Sequence, residues 1–120
     1  MSDEYVVLIQ EPTWDPDAMT PEQWEAGMAG HRLFQAAVEA AGERITARNA
    51  LQAPSAATKI TPNGGNPVFT DGPFGETREV VTGFYGFTAK SPQHARELAA
   101  LIPTSGWVEL YPVLVLSSVS

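Results

Sequence analysis

Val68-Phe69-Thr70-Asp71-Gly72-Pro73-Phe74-Gly75-Glu76-Thr77-Arg78-Glu79 is a polar turn set between two apolar stretches. Asp71-Gly72-Pro73 is strong turn chemistry. Gly72 is free to take positive φ, Pro73 fixes its own φ and biases Gly72 away from the right-handed α region, and Asp71 can bond nearby backbone. Just before it, residues 58–61 and 67–70 are short strand-like runs separated by Pro62-Asn63-Gly64-Gly65-Asn66, a hairpin signal. Just after it, residues 80–89 form a long apolar run that contains Gly83 and Gly86. Glycine within a strand marks a bulge, a bend or a close backbone approach.

Outward toward the N-terminus, residues 44–51 read as a weakly apolar, half-exposed strand. A helix precedes it: Thr20 is an N-cap, Pro21 suits the first helical position, and Gln23 completes a capping box. Trp24, Met28, His31, Phe34 or Gln35, Val38 and Ala41 step along one face of that helix, and Gly42 is its stop. Residues 5–9 are a continuous apolar, β-branched run, the pattern of a strand buried on both faces. Between strand and helix, Pro12, Trp14 and Pro16 mark a loop.

Toward the C-terminus, Ser91-Pro92 repeats the helix-start chemistry of Thr20-Pro21. Ala95, Leu98, Ala99 and Ile102 supply the apolar face of a short second helix, ended by Pro103 and Gly106. Residues 107–116 read as a last strand, with Pro112 pointing to an edge or a bulge. The order is β-α-β, a hairpin, then β-α-β. This predicts an α+β fold: a ferredoxin-like split βαβ arrangement with an inserted hairpin and two helices on one face of an antiparallel sheet. The chain length, 120 residues, fits one domain over 1–120.

The net charge of −7 is unevenly spread. Asp3, Glu4, Glu11, Asp15, Asp17, Glu22 and Glu25 occupy the first 25 residues with no Lys or Arg among them, and the rest of the chain balances. An acidic surface without a basic stripe repels a phosphate backbone, so no nucleic-acid partner is expected. No apolar run approaches a bilayer span, and the acidic start lacks the basic region of a signal peptide. A cytoplasmic location and no membrane association follow as expectations. Cysteine is absent, which removes thiolate nucleophiles, disulfides and cysteine metal sites. The two histidines show no ligand-type spacing, and no phosphate-cradling loop or dinucleotide fingerprint follows a strand, so neither a metal nor a cofactor is expected.

The segment Asp71-Gly72-Pro73-Phe74-Gly75-Glu76-Thr77-Arg78-Glu79 resembles the signature of the DGPF branch of the YCII-related proteins, with Arg78 where lysine is usual. The resemblance runs over nearly the whole chain, residues 5–112. It implies a dimeric α+β-barrel type, a homodimer joined through the sheet face. Residues 80–87 and 107–115 agree, since they carry apolar side chains on both alternating faces, more than two helices cover. In the wider family an early-helix histidine and an aspartate are proposed to form a dyad, and His31 falls near that histidine's place. Many members outside the branch carry an acidic residue before the second helix, where this chain reads Ala89-Lys90-Ser91.

His31 and Asp71 are therefore the catalytic candidates: the one polar residue on the stripe between Met28 and Phe34, and the carboxylate of the rigid turn. A carboxylate bonded to one imidazole nitrogen sets the tautomer and raises basicity, leaving the other nitrogen to move protons near neutral pH. The plain alternatives are a histidine satisfied by backbone and an aspartate capping turn amides. Trp14, Phe74, Arg78 and Arg48 are candidate substrate contacts. Trp14 and Phe74 could roof a pocket beside His31. Arg78 suits a carboxylate or enolate, or else pairs with Glu76, Glu79 or an acidic side chain across the dimer, and Arg48 is a further candidate anion contact. Trp24 is expected in the core and His94 in solvent. Two functions fit. One is a small cofactor-free enzyme doing proton transfer or elimination on a small organic molecule. The other is a non-catalytic binding or accessory module, since family members occur beside or fused to sigma-type transcription regulators.

Overall fold

The computed structural model describes residues 1–73 and 80–116. Among them the elements are β1 (Asp3–Glu11), α1 (Pro21–Ala40), β2 (Ile45–Ala50), β3 (Thr58–Thr61), β4 (Val68–Asp71), β5 (Val80–Ala89), α2 (Pro92–Ala99) and β6 (Trp107–Pro112). A four-stranded antiparallel sheet has the order β2-β5-β1-β6, and β3-β4 form a separate two-stranded ribbon. This is the ferredoxin-like α+β fold that the element order predicts.

The helix ends form as the sequence chemistry requires. Thr20 Oγ1 accepts from the Gln23 amide at 3.1 Å, and the Gln23 side chain accepts from the Thr20 amide at 2.8 Å, completing the capping box. Ser91 caps α2 by accepting from the His94 amide at 3.1 Å. At the far end of α1, Gly42 adopts φ +77°, the Gly42 amide reaches the Glu39 carbonyl, and the Glu43 amide reaches the Val38 carbonyl. That is a full Schellman closure, and it turns the chain directly into β2.

Both helices cover one face of the sheet. Tyr5, Val7 and Ile9 of β1 and Tyr85 and Phe87 of β5 face Phe34 and Val38 of α1 and Ala95, Leu98 and Ala99 of α2. Phe34 meets Tyr85 at 4.6 Å between ring centroids and Phe87 edge-on at 5.7 Å. The opposite face is only half covered. Val6 and Leu8 alternate with the buried β1 residues, so the expectation of a strand buried on both faces does not hold within one chain.

Three further readings are corrected. β6 stops at Pro112 rather than 116, since proline cannot extend the ladder, and Leu114, Val115 and Leu116 stand exposed. Gly72 is not at positive φ. Its need for glycine is steric, because a Cβ would collide with the Pro54 carbonyl oxygen. Trp24 lies on the stripe but is 37% exposed, because it lines an open cleft instead of the core.

Among the described residues one carboxylate is buried, that of Glu43. Glu43 accepts from Thr88 Oγ1 at 2.7 Å and from Ser2 Oγ at 2.9 Å, and Thr88 Oγ1 in turn accepts from the Arg44 amide. The Thr88 and Ser2 hydrogen bonds hold the Glu43 carboxyl below the usual carboxylate range. Its contribution to stability is then full above the unfolded glutamate pKa of about 4.3 and is lost as pH falls through the lower folded value. In urea unfolding, Glu43→Gln is expected to be less stable than the native chain at neutral pH, with the gap closing on acidification. Gly42→Ala is expected to cost about 1 kcal/mol, from the left-handed penalty on a residue with Cβ.

Candidate active site

A cleft of about 910 Å³ opens between the N-terminal half of α1, the loop before it, and the end of the sheet where β2 and β5 meet. One wall is apolar. Trp14 donates from its indole to the Leu51 carbonyl at 2.6 Å and meets Trp24 edge to face, 6.3 Å between centroids. Met19, Met28 and Ile9 continue this wall. That hydrogen bond ties the loop to the chain after β2, although the loop carries no regular structure beyond a short turn at Pro16–Ala18.

The other end is polar and centres on His31. The stripe of α1 puts His31 one turn before Phe34, over the buried ring of Tyr85. His31 Nδ1 lies 2.8 Å from the Tyr85 hydroxyl, which also accepts from Gln35 Nε2 at 3.2 Å. A phenol has one proton to give. With Gln35 donating to the oxygen, the acceptor in reach of that proton among the described residues is Nδ1. With the phenol proton directed at Nδ1, His31 carries its own proton on Nε2. Nε2 makes no hydrogen bond among the described residues, and no buried side-chain nitrogen or oxygen there is left unpaired. The nitrogen is therefore accessible, and the cleft that His31 lines is what it meets.

Burial pushes the His31 imidazole below its ordinary pKa, and the Glu11 carboxylate partly opposes this. Burial likewise pushes the Tyr85 phenol up, against the Gln35 hydrogen bond and the charge of Arg48. The resting pair is thus a neutral imidazole and a neutral phenol. Arg48 sits on β2 opposite Tyr85 and lines the same cleft. Glu11, the last residue of β1, closes the polar end, accepting from Thr82 Oγ1 at 3.2 Å and Ser105 Oγ at 2.9 Å.

The candidates divide clearly. His31, Trp14 and Arg48 line one cleft. Asp71 does not; it is exposed at the end of β4, paired with Thr58 in the ribbon, and His31 is bonded to Tyr85 in its place. Phe74 and Arg78 lie outside the described residues. His94 is half-buried rather than solvated. Tyr85, Gln35 and Glu11 were not singled out by sequence. The available signal was Tyr85 itself, a hydroxyl on the inward face of an apolar strand, which requires a polar partner when buried. Among the described residues no group of three or more His, Asp or Glu is placed to hold a metal ion, and no helix there is long and apolar enough to cross a membrane.

The sequence model of the YCII-related domain matches residues 4–117. The chain belongs to the YCII-related family. No curated protein matches it. In this YCII-related chain the early-helix histidine is thus tied to a tyrosine of the long central strand β5.

Two titrations follow. By NMR, His31 is expected to titrate below the unperturbed histidine value of about 6.5, and lower still in Glu11→Gln, which removes the opposing charge. Asp71→Asn should leave the curve unchanged. Because the folded imidazole resists protonation, native stability should fall as pH drops from above 6.5 toward the folded pKa, about where the unfolded chain alone takes up the proton. His31→Gln should remove that slope in denaturant titrations.

Proposed function

We propose that the cleft is an acid/base site for a small planar organic molecule, acting by proton transfer or elimination, with His31 as the group that meets its oxygen. The observation that carries this reading is the Tyr85 hydrogen bond, which occupies Nδ1 and leaves a neutral Nε2–H for the cleft. A neutral imidazole donor stabilises negative charge developing on a carbonyl or carboxylate oxygen without first losing its proton. Arg48 adds a fixed positive charge at the same end. The crossed Trp14 and Trp24 rings suit a flat body of conjugated carbon.

Two finer assignments go with it. The Asp71-Gly72-Pro73-Phe74 signature supports placing the chain in the DGPF branch. The open sheet face supports a homodimer. Val6, Leu8 and Phe84 lie beside Trp107 and Tyr111 there, and Glu109 between them already accepts from the Trp107 indole at 3.1 Å and the Tyr111 hydroxyl at 3.0 Å. A carboxylate with both oxygens occupied is suited to a face that becomes buried.

Titration with cinnamate, followed by NMR, tests the ligand site. The Trp14 and Trp24 indole signals and the His31 ring should shift together, and His31→Gln should weaken binding about tenfold, the scale of one lost hydrogen bond to a charged group. Shifts confined to other residues would refute the site. For the dimer, sedimentation should give twice the 12.9 kDa chain mass in the native protein and the single mass in Leu8→Lys.

A further inference from the structure

Glu11 is held with unusual care for a residue at a strand end. The β1–β5 register shifts between Ile9 and Gln10: Ile9 faces Gly83 and Gln10 faces Val81, so Thr82 is the extra residue of a bulge. Bulges re-aim side chains, and this one brings the buried Thr82 hydroxyl onto one oxygen of Glu11. The other oxygen takes Ser105, from the loop after α2. That loop is itself tied down, with Thr104 Oγ1 donating to the Gln10 carbonyl at 3.1 Å and accepting from the Gly106 amide at 3.0 Å. Two separate segments, β5 and the loop after α2, thus converge on one carboxylate that lines the cleft.

None of those contacts neutralises it. Among the described residues the one ion pair is Arg32 with Glu25. Thr82 and Ser105 contribute a single neutral hydroxyl to each oxygen, which leaves lone pairs on both. The same cleft holds a neutral imidazole donor and a guanidinium at its polar end. A site with a fixed anion on one side and oxyanion-stabilising donors on the other is divided between base and acid.

We propose that Glu11 is the proton acceptor of this cleft and that its substrate is a carbon acid, a flat molecule whose removable C–H adjoins a carbonyl. The inference rests on the acid/base reading of His31 given above. In the step, a C–H proton passes to the Glu11 carboxylate and the C–H electron pair moves onto the carbonyl oxygen, giving an enolate. His31 Nε2–H and Arg48 hold that oxygen. An enolate conjugated with a neighbouring C=C then takes the proton back from Glu11 at its γ-carbon and re-forms the carbonyl. Otherwise the carbonyl re-forms as a leaving group departs from the β-carbon with its bonding pair, and Glu11 gives up its proton to that group or to water. No electrons enter or leave.

Para-nitrophenolate, a flat oxyanion, serves as a probe of the enolate state, with binding read by tryptophan quenching. Glu11→Gln resembles the protonated base and removes a like charge, so it should bind the probe about tenfold more tightly than native. His31→Gln should bind it more weakly. In heavy water, the native protein should exchange the α-protons of β-tetralone faster than buffer, and Glu11→Gln should lose this while keeping its thermal midpoint. If His31→Gln weakens the probe but Glu11→Gln does not tighten it, or exchange survives in Glu11→Gln, the role of Glu11 is overturned and the His31 reading stands. If the native protein does not bind the probe, or neither substitution alters its binding, both fall.

Discussion

Phe34 sets the geometry on which the rest depends. Its fully buried ring lies against Tyr85 and Phe87, and this fixes both the height and the rotation of α1 over the sheet. Burying a side chain of this kind is worth roughly 1.5–3 kcal/mol, and packing at crystal-like density permits few alternative rotations. Once Phe34 is seated, helical periodicity leaves no freedom to His31 and Gln35. One lies a turn upstream and the other one residue on, and both reach the same Tyr85 hydroxyl. The site is in this sense a by-product of core packing.

That hydroxyl then controls the chemistry. It is shared between an amide donor and an imidazole, so Nδ1 is turned to the phenol and Nε2 is left for the cleft. Burial keeps both partners neutral. The polar end is therefore organised by a hydrogen-bonded pair without formal charge, flanked by two charges, Glu11 and Arg48, that the sheet holds apart on its β1 and β2 strands.

Most of the fold was legible in the residues, because its signals are local. The Thr20-Pro21-Gln23 cap, the Gly42 stop, the Ser91 cap and the Asn63–Asn66 turn act through neighbours along the chain, and each formed where expected. The site was legible in part. His31, Trp14 and Arg48 stand out by residue type and lie together. Asp71 was the natural partner by analogy, yet among the described residues β3 and β4 pair with each other, and Asp71 is not part of the cleft that His31 lines. Glu11 and Tyr85 were hidden for a related reason. Their meaning depends on strand register, on a bulge one residue long, and on a contact 54 positions away along the chain. Trp24 failed in the opposite direction, since a helical stripe does not reveal which of its positions meet the core and which line a cleft.

The two walls of the cleft come from different kinds of structure. The apolar wall is made largely by a loop and the first turns of α1, with Ile9 beneath them, while the polar end is made by strands β1, β5 and β2 and the middle of that helix. Substitutions at Trp14, Met19 or Met28 therefore reshape the cleft without passing through the core. On the proposed acid/base reading, this scaffold separates the residues that select a ligand from those that move its proton.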